Sequence, residues 1–338
     1  MSETKYRVTV LGDGGWGTAI AVVNARRKND TLLWSAFPEY AKVLAEKREN
    51  IKFLSGVKLD PKIKISSDLK EAVEFAQIIV LAIPTQFLRN VLHKLKEYKL
   101  TGKTLVSVAK GIEKNTCLRP SEIIQSILGD KIPIVILSGP SHAEEVARNI
   151  PTLVVAASRD EKAAALVQQA FMDTFFRIYV QSDVVGVELG GALKNVVAIA
   201  AGVCDGLNFG DNSKSGLITR GLFEMTRLGI KLGANPNTFF GLSGLGDLVT
   251  TCFSQHGRNL RVGRELGQGK KIKDILAGME MVAEGVDSAQ SVHQLCKKVG
   301  VELAIVGEVY NILFEGKDAR QAVIDLLSRD AREEWKQY

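Results

Sequence analysis

Lys194 is the only charge in the run Leu189–Cys204, LGGALKNVVAIAAGVC. Burying an unpaired ammonium costs several kcal/mol, so a lysine in such a run either snorkels to the surface or meets a partner. On helical spacing its neighbours are Gly190, Gly191, Val197 and Ala198, a small apolar face against which another body can lie. A desolvated lysine beside a second cation becomes an acid or base near neutral pH. Lys110 is a candidate second cation, following the apolar TLVSVA (104–109). Asp247 closes the glycine-rich GLSGLGD (241–247) and offers a carboxylate, or else a helix cap. Gly257-Arg258-Asn259 enters a helix, where a guanidinium and free N–H groups could cradle a phosphate or carboxylate. Glu284-Gly285 reads as a further candidate loop.

A second constellation opens the chain. Gly12-Asp13-Gly14-Gly15-Trp16-Gly17 follows an apolar strand and precedes a helix, the GxGxxG pattern of a dinucleotide site. Gly12 permits the tight turn, Gly14 the approach of a pyrophosphate, and Gly17 close packing of helix on sheet. An acid commonly grips the ribose 2′-hydroxyl after the second strand, but Trp34-Ser35-Ala36-Phe37 carries neither an acid nor an arginine. NAD(H) and NADP(H) both remain open on this reading, and Glu39 reads as a helix-start residue. Ile83-Pro84-Thr85 and Ser138-Gly139-Pro140-Ser141 follow further apolar strands, and His142-Ala143-Glu144-Glu145 starts a helix.

These residues need a scaffold. The spacing predicts strands at 6–11, 31–34, 78–83, 104–109, 134–137, 153–157 and 175–180, with helices at 18–27, 86–98 and 161–172. Such alternation is an α/β, Rossmann-like, mostly parallel sheet domain, placed at 1–183. Helical patterns then run through 184–204, 215–232, 259–268, 272–277, 288–299, 304–314 and 320–327. They predict an all-helical C-terminal domain, 184–338, with Lys194 on its first long helix, near the domain boundary.

Composition narrows the classes. The 338 residues are 46% hydrophobic and 24% charged, as in ordinary globular proteins. The net charge of +6 is spread along the chain without a dense basic, aromatic-interleaved run, so nucleic acid is not expected. No run approaches roughly 18 uninterrupted apolar residues and no signal peptide is evident, so a cytoplasmic protein without stable membrane insertion is expected. Four cysteines (Cys117, Cys204, Cys252, Cys296) and four histidines (His93, His142, His256, His293) form no CxxC or HxxxH cluster. Neither a disulfide frame nor a metal is expected.

GDGGWGTA (12–19), AKGIE (109–113), SGPSHAEEV (138–146), ELGGALKNVVAIAAGVCDGL (188–207), LSGLGDLVTTC (242–252), GRN (257–259) and EGV (284–286) together resemble the NAD(P)-dependent glycerol-3-phosphate dehydrogenases, close to the bacterial type. The likeness runs nearly end to end. It implies reversible hydride transfer between NAD(P)H and dihydroxyacetone phosphate, supplying glycerol 3-phosphate for phospholipid synthesis, by a homodimer. It implies Lys194 as general acid/base, with Lys110 and Asp247 beside it in catalysis. Lys110, Gly139, Lys194, Asp247, Thr251, Arg258 and Asn259 would contact substrate. Gly15, Trp16, Lys110, Ser141, Ala143, Arg258, Val282 and Glu284 would join Gly12, Gly14 and Gly17 at the cofactor. The chain departs from the pattern at Ala36, where a basic residue is common, and at Gly257, where serine is common. A related β-hydroxyacid-type dehydrogenase using the same lysine is the alternative enzyme, and a non-enzymatic NAD(H) sensor the alternative of another class.

Overall fold

A computed structural model describes residues 4–254, 257–279, 282–331 and 333–334; His256 lies outside them. The chain forms two compact units, Met1–Ala109 with Pro120–Val184, and Lys110–Arg119 with Val185–Tyr338. The second unit therefore takes in Lys110–Arg119, which the expected continuous 1–183 domain had assigned to the first. The reason is burial: Ile112 and Cys117 lie in the hydrophobic core of the helical unit.

The first unit is built on β1 (Arg7–Leu11), β2 (Asp30–Trp34), β3 (Glu49–Asn50), β4 (Leu54–Lys58), β5 (Lys64–Ser66), β6 (Ile78–Leu81), β7 (Thr104–Ser107), β8 (Ile134–Ser138), β9 (Thr152–Ala157) and β10 (Phe176–Gln181). Its helices are α1 (Gly15–Arg26), α2 (Pro38–Lys47), α3 (Leu69–Phe75), α4 (Thr85–Leu95), α5 (Pro120–Leu128), α6 (Ala143–Ala147) and α7 (Glu161–Phe171). Eight strands make one sheet in the order β10-β9-β8-β7-β6-β1-β2-β5, and β3 pairs with β4 as a separate hairpin. Every pairing in the large sheet is parallel except β8 with β9. The apolar runs of β6 and β7 are buried at every position, as strands covered on both faces must be. Strand order reverses between β6 and β1, where such sheets form a ligand crevice at the strands' carboxyl ends.

The second unit contains α8 (Val184–Gly206), α9 (Asp211–Lys231), α10 (Asp247–Phe253), α11 (Arg258–Gly267), α12 (Ile272–Ala277), α13 (Glu284–Val299), α14 (Ala304–Phe314) and α15 (Ala319–Leu327). A 3₁₀ turn, Pro236–Phe240, and a π-helical turn, Leu242–Gly246, precede α10. Helix α8 is long and apolar enough to cross a membrane, but 94% of its most apolar window is buried inside the protein. It is the central helix of this unit's core, with Leu189, Leu193, Val196 and Val197 in one cluster with Leu248, Leu260 and Val292. Helices α8 and α11 meet through glycines. A Cβ added to Gly263 would lie 1.9 Å from the Ile199 carbonyl oxygen, and one added to Gly202 2.1 Å from that of Leu260. Only hydrogen fits at either position.

Candidate active site

The chemistry-bearing residues of the helical unit converge on one carboxylate. Lys194 Nζ lies 2.8 Å from Asp247 Oδ1, and Lys110 Nζ donates to Asp247 Oδ2 at 2.7 Å. The three side chains are 8%, 13% and 2% exposed, so the apolar setting of Lys194 is resolved by pairing and not by snorkelling. Lys194 also donates to Thr251 Oγ1 at 2.7 Å, while the Thr251 hydroxyl donates to the Asp247 carbonyl one helical turn back, at 2.6 Å. An ammonium has three donors, and these two contacts aim Lys194 while engaging two of them.

Local structure explains the convergence. Asp247 is the first residue of α10, not its cap; Gly246 holds the cap position. The π-helical turn before it carries the chain against α8. A Cβ on Gly190 would stand 2.4 Å from the Ser243 carbonyl oxygen. The small face beside Lys194 is thus filled, at Gly190, by the protein's own backbone. That close approach brings Asp247 within reach of Lys194.

Electrostatics follow from burial. Desolvation pulls the Lys110 ammonium down to about 8, with Lys194 adding to the lowering and Asp247 opposing it. Burial alone would raise the Asp247 carboxyl, but the ammoniums of Lys110 and Lys194 hold it below its ordinary value. Burial raises the Glu284 carboxyl, against the pull of Arg258, Lys194 and Lys110. Glu284 begins helix α13, where the sequence reading expected a loop.

A relay of amides ties these elements together. Asn195 Nδ2 donates to the Lys110 carbonyl at 3.2 Å, and Asn259 Nδ2 to Asn195 Oδ1 at 3.0 Å. Asn259 Oδ1 accepts from the Gly285 N–H at 2.9 Å. The Asn259 side-chain oxygen is thereby committed, which leaves its backbone N–H, in the first turn of α11, facing the helix end. That end has no side-chain cap and no acid in its first turn, so its N–H groups suit an anion. Arg258 Nη1 donates to the Val282 carbonyl at 2.7 Å, joining two expected cofactor contacts. Asn195 was missed by sequence reasoning; its one signal is adjacency to Lys194.

In the first unit the GxGxxG turn fits a dinucleotide. A Cβ on Gly12 would fall 2.3 Å from the Ala82 carbonyl oxygen across the β1–β6 switch, and one on Gly17 2.0 Å from that of Gly12. At Gly14 it would meet nothing within 4 Å, so the backbone is open to a pyrophosphate. Helix α1 starts with neither a side-chain cap nor an acid in its first turn. Gly15 is glycine because the Phe53 carbonyl would stand 2.6 Å from its Cβ, and Ala143 lies beside it at 3.7 Å. Trp16 packs its ring on Phe176, with centroids 6.4 Å apart. Ser141 Oγ donates to the Gly139 carbonyl at 2.8 Å. Asn50, on the hairpin, donates to the Asp13 carbonyl and to Thr18 Oγ1, both at 2.7 Å, and holds the turn from outside. After β2, Ser35 Oγ donates to Asp13 Oδ2 at 2.6 Å, and Ala36 and Phe37 are exposed. Among the described residues, no group of three or more His, Cys, Asp or Glu is placed to hold a metal.

Comparison with known proteins agrees across both units. The family models for the NAD-dependent glycerol-3-phosphate dehydrogenase N-terminus and C-terminus match residues 7–164 and 183–324. The chain is 46% identical to glycerol-3-phosphate dehydrogenase [NAD(P)+] of Chlorobium chlorochromatii over 97% of this chain and 99% of that one. It is 47% identical to the Thermoanaerobacter enzyme of the same name, over 97% and 98%. A solved glycerol-3-phosphate dehydrogenase from Coxiella burnetii superposes with a TM-score of 0.93 at 36% identity, over 96% of this chain and 99% of that one.

Proposed function

Because the chain belongs to the NAD-dependent glycerol-3-phosphate dehydrogenase family, we propose that it interconverts dihydroxyacetone phosphate and sn-glycerol 3-phosphate with NAD(H) or NADP(H). The observation that carries this reading is the buried Lys110–Asp247–Lys194 cluster. The nicotinamide cofactor, when bound, supplies or takes up the hydride. In the reducing direction the carbonyl oxygen gains negative charge, and Lys194, aimed by Asp247 and Thr251, gives it a proton. Lys110 carries the second positive charge and binds substrate. Arg258 and the N–H groups at the start of α11 take the phosphate, so binding energy remote from the carbonyl positions it. Gly139 completes the substrate contacts. Gly12, Gly14, Gly15, Trp16 and Gly17 hold the cofactor through their backbone, with Ser141, Ala143, Val282 and Glu284 also contributing.

A cytoplasmic location, a role in phospholipid synthesis and a homodimeric state belong to the same proposal and rest on family analogy. Steady-state kinetics with dihydroxyacetone phosphate, run in parallel with NADH and NADPH, tests the activity. Turnover of dihydroxyacetone phosphate in preference to short 3-keto acids is expected. Turnover of the keto acids alone would move the protein to the β-hydroxyacid type, and cofactor binding without any turnover would make it a sensor.

A further inference from the structure

The excursion Lys110–Arg119 leaves the first unit after Ala109 and returns to it at Pro120. Both of its ends are tied to α8. At the near end Asn195 Nδ2 donates to the Lys110 carbonyl at 3.2 Å. At the far end Arg119 Nη1 donates to Glu188 Oε2 at 2.6 Å, with side chains 11% and 0% exposed. Glu188 and Asn195 stand seven positions apart, about 10 Å along the helix axis. Between the ends, Lys114 pairs with Asp287 at 2.5 Å and the Asn115 N–H donates to Gln294 Oε1 at 3.3 Å, both on α13. Ile112 and Cys117 anchor the segment in the core below.

We propose that the buried Arg119–Glu188 pair is a positioning device for Lys110, holding the excursion on the helix that carries Lys194 so that both ammoniums reach the one Asp247 carboxylate. The inference rests on the functional reading above and names residues that reading does not use. Replacing a buried ion pair by apolar side chains of similar volume is often neutral or stabilising, while in some systems such a pair fixes one arrangement of the segments it joins. Arginine suits the task because its planar fork is already organised. Lys110 faces Asp247, Lys194 and Glu284, so a small displacement changes its distance to every charge that sets its proton affinity.

The test uses the full chain and the double variant Arg119→Met/Glu188→Met, which removes both charges at similar volume. The double variant is expected to melt at or above the parent temperature and to bind NADH equally well. Its kcat/KM for dihydroxyacetone phosphate should fall by about tenfold or more, because misplacement remote from the chemistry is enough to lose that much. The alkaline limb of its kcat/KM profile should move upward from about 8 as Lys110 regains water. An unshifted limb with parental kcat/KM would overturn the proposal. Should the double variant not fold, Arg119→Lys carries the test: it keeps the charge and loses the fork. A raised KM at unchanged melting temperature supports the device, and parental kinetics sink it. Should the parent itself not turn over, the functional reading fails separately. The Lys110 ammonium titration, followed by NMR in parent and variant, then decides the matter: an upward shift in the variant supports the placement, and identical titrations refute it.

Discussion

At the scale of the residue, one carboxylate organises the chemistry. Asp247 gives one oxygen to each of two ammoniums, so the protein buries two like charges without leaving either unpaired. Lys194→Ala removes the proton donor and leaves the glycine-rich turn intact. Loss of about 10²–10⁴-fold in kcat is expected for a general acid, with NADH affinity by fluorescence titration unchanged; turnover within tenfold of the parent would exclude the role. Arg258→Ala removes the guanidinium beside the α11 N-terminus. KM for dihydroxyacetone phosphate should rise by about tenfold or more, as befits a lost charge-assisted contact, with a smaller effect on kcat; an unchanged KM would place the phosphate elsewhere. Lys110 supplies the pH dependence. Its ammonium titrates at about 8, so its positive charge is lost as pH rises through that value. If the charge binds substrate, kcat/KM should decline above about pH 8, and Lys110→Ala should abolish that limb along with most of the activity.

At the scale of the element, glycine sets how closely helices approach, and so where side chains arrive. The α8–α11 crossing brings the N-terminus of α11, with Arg258 and Asn259, to the level of Lys194 and Asn195. A Cβ at Gly263 would overlap the Ile199 carbonyl oxygen at 1.9 Å, and that oxygen is backbone and cannot swing aside, so the helices must separate. Gly263→Ala should cost about 1–3 kcal/mol, typical of overpacking, and should raise KM for the phosphorylated substrate. A variant with parental melting temperature and KM would show that the crossing can adjust. Much of this scale was legible beforehand. Strands β1, β6 and β7 were apparent from apolar runs bounded by turns, and α8 and α14 from length and periodicity. The hairpin β3–β4 and strand β5 were not, because LSGVK and KIS are short and half polar and are held by pairing with neighbours. Leu242–Gly246 reads only as part of a glycine-rich turn, since three glycines in seven residues do not distinguish an open turn from a π-helical one packed against α8. At the site, Lys194, Lys110 and Asp247 could be singled out by charge against apolar context. That they stand together was implied only by the family resemblance; charge against apolar context does not show it, because their meeting depends on a glycine contact between segments more than fifty positions apart.

At the scale of the whole molecule, buried carboxyls both at the site and away from it determine how stability varies with pH. Glu224, on α9, accepts the backbone N–H groups of Ile305 and Val306 at the start of α14, at 2.8 and 3.3 Å. Burial outweighs those contacts and pushes its carboxyl from 4.5 up to about 7. A carboxyl raised on folding binds its proton more tightly in the native state. The native state therefore holds more protons than the unfolded one between 4.5 and about 7, and stability is lost as pH rises through that window. Asp247 acts in the opposite sense: its lowered carboxyl stabilises the fold above its ordinary value, and that contribution disappears as pH falls. Glu224→Gln separates the two. Glutamine keeps one oxygen for the α14 N–H groups and carries no titrating charge. Relative to the parent, the variant should gain melting temperature between pH 5 and pH 8, the window spanned by the Glu224 shift to about 7. The gain should be a few degrees, since about 1 kcal/mol moves a domain the size of this helical unit by roughly 2–4 °C. A difference in melting temperature that stays constant across that range would show that Glu224 does not titrate there and that α14 is capped by an ordinary carboxylate.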